Sequence, residues 1–494
     1  MDRRLTGLTV YSTPVHGPTL PGAPPLPPLT ETFRLLSFVD DIKASIKYMH
    51  EFFLVDKASL LFEKASGCQL HRDPASGKVK FLSLGRWRGT LKQEDIPVKY
   101  IALSDYLDML GVTMKATFTQ TRKVNCDDIT EKVRRLIGSW KGGRFIPLSQ
   151  RPFSVNAFAL PLVWFRCHSL DLREGDFSKI TSIVKSWVFA DCLEKPEELT
   201  VFKSKEEGGL GIHHLKSKSR AILIKSFLET ATGSKFIQNN YHNALFRWHI
   251  LQQNNIQDPG IPPYYSASFF KTIREVMSEG TKDVSKMSSS EWYRILLKKY
   301  VTEELGELEE TETKLLKAER KHPEVDWERT WRPMLTKGLN GRQKSLIFKI
   351  LHNILPTRAR LHRMGLSDSP NCDLCPHGIV GDLTHALLDC DHNSVVNDWI
   401  IAVLFDIDPG LLDSELSSKN ITTLNLNISE EKKLPVHLFL LQVFEIIWNR
   451  RLTRRMITLT DVQTTIQAEV SFLMNTKHDI AAQTIESALN FSIY

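Results

Sequence analysis

Two adjacent carboxylates, Asp40 and Asp41, close the apolar run Leu35-Leu36-Ser37-Phe38-Val39. Carboxylates at such a point can hold divalent metals, and a two-metal site stabilises both the attacking and the leaving oxygen of a phosphoryl transfer. Successive strand side chains face opposite ways, so both can serve one site only where the strand turns. Asp40 is then the expected primary ligand. Such a site needs at least one further carboxylate, and the only acidic residues before position 40 are Asp2 and Glu31. A purely structural role competes with this one: aspartate is a preferred N-cap, and the pair would cap a helix over 42–64.

A second set of ligands lies far downstream, as Cys372-x2-Cys375-x9-His385-x4-Cys390. Thiolates and imidazole at this spacing suit tetrahedral zinc, with the Cys-x2-Cys pair forming a knuckle. His385 and Cys390 are five residues apart, about 140° on an ideal helix. A helix carrying His385 must therefore end or bulge before Cys390. His377 and His392 compete as ligands, and three buried cysteines that merely cluster would leave the same pattern. The remaining cysteines, of seven in all, are scattered singly through the first half. That usage fits a reducing, intracellular compartment, nuclear or cytoplasmic, rather than secretion.

Arginines make the third set. Arg450, Arg451, Arg454 and Arg455 end a late apolar helix, and Arg358, Arg360 and Arg363 follow Leu355-Pro356. Such clusters can contact phosphates, or cap helices and solvate a face. The net charge of +7 over 494 residues permits weak, non-specific binding of RNA or DNA without requiring it. No apolar run is long enough for a membrane helix, so no membrane is expected as a partner, and no small-molecule substrate is expected either.

The elements that must position these groups are α+β in kind. Residues 1–30 form a proline-rich leader, expected to be disordered. Residues 31–115 are mixed, with a strand over 33–39, a helix over 44–64 closed by Gly67, a strand over 78–84 and another around Leu110-Gly111-Val112. From about 116 the pattern is helical. Helix 129–140 has an amphipathic face of Ile129, Val133, Leu136, Ile137 and Trp140, and 151–165 reads as a buried helix. A charged helix over 302–321 reads as a solvated spacer, followed by helix 342–354, the cysteine cluster and helix 436–456.

In this order the pieces resemble the C-terminal half of LINE-type (non-LTR) retrotransposon reverse transcriptases. Phe38-Val39-Asp40-Asp41 resembles the metal-binding motif of the palm, and Phe62–Leu70 is similar to the helix end and turn after it. Leu110-Gly111-Val112 resembles a later palm hairpin, and Trp140-Lys141-Gly142-Gly143-Arg144 the start of the thumb. Lys205–Ile212 is similar to the family's glycine-rich run. Leu351–Thr357 resembles the lead-in to the zinc-binding domain, and Ile447–Arg451 its closing helix.

The resemblance implies a partial palm (31–115), a helical thumb-like region (116–235), a helical linker with the charged helix (236–325), and a zinc-binding domain with C-terminal helices (326–494). It implies Zn2+ as cofactor, with Mg2+ only if the polymerase site were complete. The family's fingers and first palm aspartate have no counterpart here. The expected function is that of a truncated reverse transcriptase that keeps zinc and nucleic-acid binding but does not polymerise. Two alternatives stand beside it: a fragment of an active RNA-directed DNA polymerase, and a non-enzymatic zinc-binding scaffold.

Overall fold

A computed structural model describes residues 8–11, 30–33, 35–38, 41–44, 46–67, 69, 71–84, 87–140, 146–170, 172–190, 192–193, 196, 198–233, 286–303, 326–375, 378–411, 416–474 and 479–491. Strands β1 (Leu8–Tyr11), β2 (Thr30–Phe33), β3 (Leu35–Phe38) and β4 (Asp41–Ala44) precede helix α1 (Glu51–Ser66). Strands β5 (Lys80–Leu82), β6 (Ala102–Ser104), β7 (Tyr106–Met109) and β8 (Val112–Lys115) follow. The rest is helical: α2 (Phe118–Ser139), α3 (Arg151–Ser154), α4 (Pro161–Cys167), α5 (Glu174–Val188), α6 (Glu198–Phe202), α7 (Leu215–Gly233) and α8 (Ser289–Glu303). Beyond these come α9 (Trp327–Trp331), α10 (Gly341–Leu351), α11 (Arg358–Arg363), α12 (Ser394–Ile407), α13 (Ser418–Thr423), α14 (Lys433–Leu452), α15 (Leu459–Met474) and α16 (Asp479–Phe491). Helix thus predominates over small sheets, compatible with the expected α+β class. No helix among the described residues is long and apolar enough to cross a membrane.

The chain divides into two compact units, each built from three segments. In the first (1–133, 161–179 and 215–297) the described strands pair two by two. β5 and β6 are parallel, while β3 and β4 are antiparallel with Phe38 opposite Asp41. The core under α1 gathers Phe52, Ile96, Val98 and Ile101, with Phe81 edge-on to Phe52. Gly67 closes α1 in the left-handed conformation and returns its N–H to the Glu63 carbonyl, as the sequence led us to expect. The start of α1 differs from expectation. The Glu51 carboxylate accepts the N–H groups of Lys47 and Tyr48 and fixes the first turn there. Positions 41–44 are a strand instead, so Asp41 does not cap the helix.

Leu110 and Gly111 also depart from the expected strand. Both have positive φ, 48° and 77°, and form the turn between β7 and β8. Two successive positive φ values match the right-handed twist of a tight hairpin. The segment 151–165 is not one buried helix. It runs α3, a π-helical turn (Val155–Ala159) and α4, with Phe153, Phe158 and Phe165 exposed. The face of α2 is as expected at its centre, with Ile129, Val133 and Ile137 buried.

The second unit (134–160, 180–214 and 298–494) contains the whole of 326–494. A core lies along α14, whose Val436, Phe439, Leu440, Val443, Phe444 and Ile447 are buried among α10, α12, α15 and α16. The glycine-rich run docks in the same unit: the Gly208 carbonyl accepts a hydrogen bond from His352 Nε2 at 2.7 Å, and His352 stacks on Trp331. Of the charged helix expected over 302–321, only 302–303 fall within the description, at the end of α8; 304–325 lie outside it.

Candidate metal centre

The centre is assembled from a hairpin and a widened helical turn. Asn371 bridges Val380 antiparallel, the Cys372 N–H donates to the Ile379 carbonyl at 2.7 Å, and the Gly381 N–H donates to the Pro370 carbonyl at 2.9 Å. At the tip, the Leu374 N–H points back at Cys372 Sγ, 3.4 Å away, the fold of a Cys-x2-Cys knuckle. Gly381 lets the hairpin approach α11 closely. A Cβ there would lie 3.1 Å from Arg358 Cβ and 3.3 Å from Cys372 Cα.

Asp382 then caps the next segment, accepting the His385 N–H at 2.9 Å. The segment is a π-helical turn, His385–Asp389, and Cys390 ends it with extended backbone. Hydrogen bonds from i to i+5 put residues five apart on one face. This is the bulge that the His385–Cys390 spacing demanded.

Cys372, Cys375, His385 and Cys390 are all buried, and their ligand atoms lie within 4.8 Å of one another. Cys375 Sγ is 3.4 Å from His385 Nε2 and 3.3 Å from Cys390 Sγ, and Cys372 Sγ is 3.9 Å from Cys390 Sγ. Bonds of about 2.3 Å to sulfur and about 2.0–2.1 Å to nitrogen imply tetrahedral edges of roughly 3.4–3.8 Å. The donor set and its spacing therefore fit one zinc ion. His392 is not part of the cluster, and His377 lies outside the described residues.

Electrostatics divides the thiols. Burial opposes ionisation of Cys372, but the Leu374 N–H and the Arg451 guanidinium outweigh it and draw the thiol down to about 6. Cys375 is pushed up to about 12 by burial and by its contact with Cys390. A metal ion would displace these protons, because the thiolate is the ligand.

The arginines occupy five kinds of position. Arg360 is buried and bonds the Asn353 carbonyl. Arg451 bonds Cys372 Sγ (3.0 Å) and Cys390 Sγ (3.7 Å). Arg450 pairs with Asp461, and Arg454 with Asp373 of the knuckle, each at 3.5 Å. Arg358 flanks Gly381, while Arg363 and Arg455 are exposed. Both clusters thus border the same hairpin. Sequence reasoning assigned Arg451 to phosphate and missed its contact with sulfur, and it missed Asp382, although an aspartate three residues before His385 is an N-cap signal.

Asp41 begins β4, in the first unit, and Asp40 lies outside the described residues. Residues 314–396 match the family model described as zinc-binding in reverse transcriptase, a segment that includes all four clustered ligands. This part of the chain is accordingly reverse-transcriptase-related. No curated protein matches the chain.

Proposed function

We propose that this chain is a zinc-binding protein of the LINE-type, non-LTR reverse-transcriptase kind, which binds nucleic acid weakly and does not polymerise by itself. The buried Cys372–Cys375–His385–Cys390 cluster, inside a segment similar to the zinc-binding region of reverse transcriptases, carries the reading. Four protein ligands leave no open position, so the zinc is structural: it joins the hairpin to the π turn. Its folding role makes Cys375 indispensable to the local structure.

Nucleic acid would meet the outside of the same hairpin. Arg360 and Arg451 face inward, leaving Arg358, Arg363, Arg450, Arg454 and Arg455 for phosphates. Three to five such contacts on a single strand give a log–log salt slope of roughly −2 to −4, with little sequence preference.

The test has three parts. Metal analysis of the purified 494-residue chain should find one zinc. Titration of labelled RNA at several salt concentrations should show the slope. Primer extension with magnesium or manganese should stay at background, and incorporation abolished by Asp40→Asn would favour the polymerase reading. The scaffold reading has its own support in the internal partners of Arg360, Arg450, Arg451 and Arg454. Absence of RNA binding at low salt would leave that reading standing.

A further inference from the structure

We infer that Arg451 is a positioning residue of the metal centre: its guanidinium neutralises the zinc–thiolate cluster and fastens α14 to it. The inference rests on the zinc reading and goes beyond it, because Arg451 lies outside the matched segment, which ends at residue 396.

Charge counting supplies the reason. Zn2+ with three thiolates and a neutral imidazole carries one net negative charge. All four ligands are buried, and a buried charge without a partner is costly. Arg451 answers it from 79 and 61 residues away in sequence, with Nη2 3.0 Å from Cys372 Sγ and Nη1 3.7 Å from Cys390 Sγ. One planar fork therefore spans two ligands, a geometry that lysine cannot reproduce. Arg451 sits in the last turn of α14, and Arg454, just beyond it, pairs with Asp373 between the knuckle cysteines. Two side chains from one helix end thus grip both the inside and the outside of the knuckle. A guanidinium spent on sulfur is not a phosphate ligand, so Arg451 separates from its neighbours in function.

The experiment uses the full chain and competition against a chromogenic zinc chelator, with cobalt(II) substitution as a second readout. Loss of an outer partner of a metal ligand lowers affinity by roughly 10–100-fold, and that is the expected effect of Arg451→Met. Lys337→Met, which removes the same charge at an exposed position, should leave affinity at the wild-type value. Arg451→Lys should fall between, and it should shift the sulfur-to-cobalt charge-transfer band, which a merely structural role would not move. If Arg451→Met does not fold, Arg451→Lys decides alone. Wild-type affinity and an unshifted cobalt spectrum in Arg451→Lys would overturn the inference. A wild-type chain that takes up no zinc would overturn the zinc reading itself, and this inference with it.

Discussion

The glycine-rich run permits a graded test, because three glycines in four positions meet different surroundings. Gly208 has φ +77°, and an added Cβ would lie 2.4 Å from Trp331 Cε2 and 2.5 Å from Cδ2. Trp331 is fully buried and stacks with both Trp327 and His352, contacts that a swing of its ring would break. Gly208→Ala should therefore combine about 1–2 kcal/mol of left-handed strain with about 1–3 kcal/mol of overpacking. Gly211 has φ +69° and open space around its Cβ position. Gly211→Ala should cost the strain alone, about 1–2 kcal/mol. At Gly209 the obstacle is main chain: the Cβ would sit 2.1 Å from the Lys203 carbonyl oxygen and 2.4 Å from its carbon. Backbone cannot rotate aside, so Gly209→Ala should be the worst of the three. Urea unfolding of the full chain, followed by tryptophan fluorescence, ranks the variants through their midpoints. Equal midpoints for Gly208→Ala and Gly211→Ala would refute the assigned packing of this run on Trp331.

Other outcomes follow from single contacts. Burial holds His437 and His352 at a pKa of about 4, against an ordinary 6.5. The unfolded chain takes up these protons first, so stability is complete above pH 6.5 and falls as pH drops toward 4. The loss is on the order of 3 kcal/mol per histidine, and His437→Gln should flatten the pH profile of the unfolding midpoint. Cys375→Ser should abolish stoichiometric zinc and increase protease cleavage between 370 and 392, which limited digestion with mass spectrometry would locate. Replacing Arg363 and Arg455 together by alanine should reduce the RNA-binding salt slope by roughly 1.4, at about 0.7 per phosphate contact on a single strand. An unchanged slope would move the interface away from this hairpin.

What the sequence disclosed was local. Gly67 ends α1 because only nearby backbone decides a left-handed cap. The His385–Cys390 spacing forced a bulge by helix geometry alone, and the structure supplies the π turn. What stayed hidden depended on longer reach or on weak residue preference. Leu110 is an unusual residue for positive φ, so its turn looked like strand. Glu51 starts α1 by bonding two preceding amides, which apolar periodicity cannot register. Arg451 looked like one arginine of four until the fold laid it on Cys372. Asp41 is placed in a strand opposite Phe38, but nothing local says which carboxylates it would face.

The widened turn at His385–Asp389 makes the centre sensitive to length rather than to composition. Leu387 and Leu388 are buried, and replacing either would weaken packing while leaving Cys390 in place. Changing the length there is a different event, and the two directions are not equivalent. With one residue deleted, the two ligands stand four apart, about 40° on an ordinary α-helix, so the π turn of His385–Asp389 can revert to an α turn and keep both on one face. With one residue inserted they stand six apart, about 240° on that helix, and Cys390 is carried away from Cys375 and from the Arg451 fork. A codon gained between positions 385 and 390 is therefore far more damaging than a codon changed or lost.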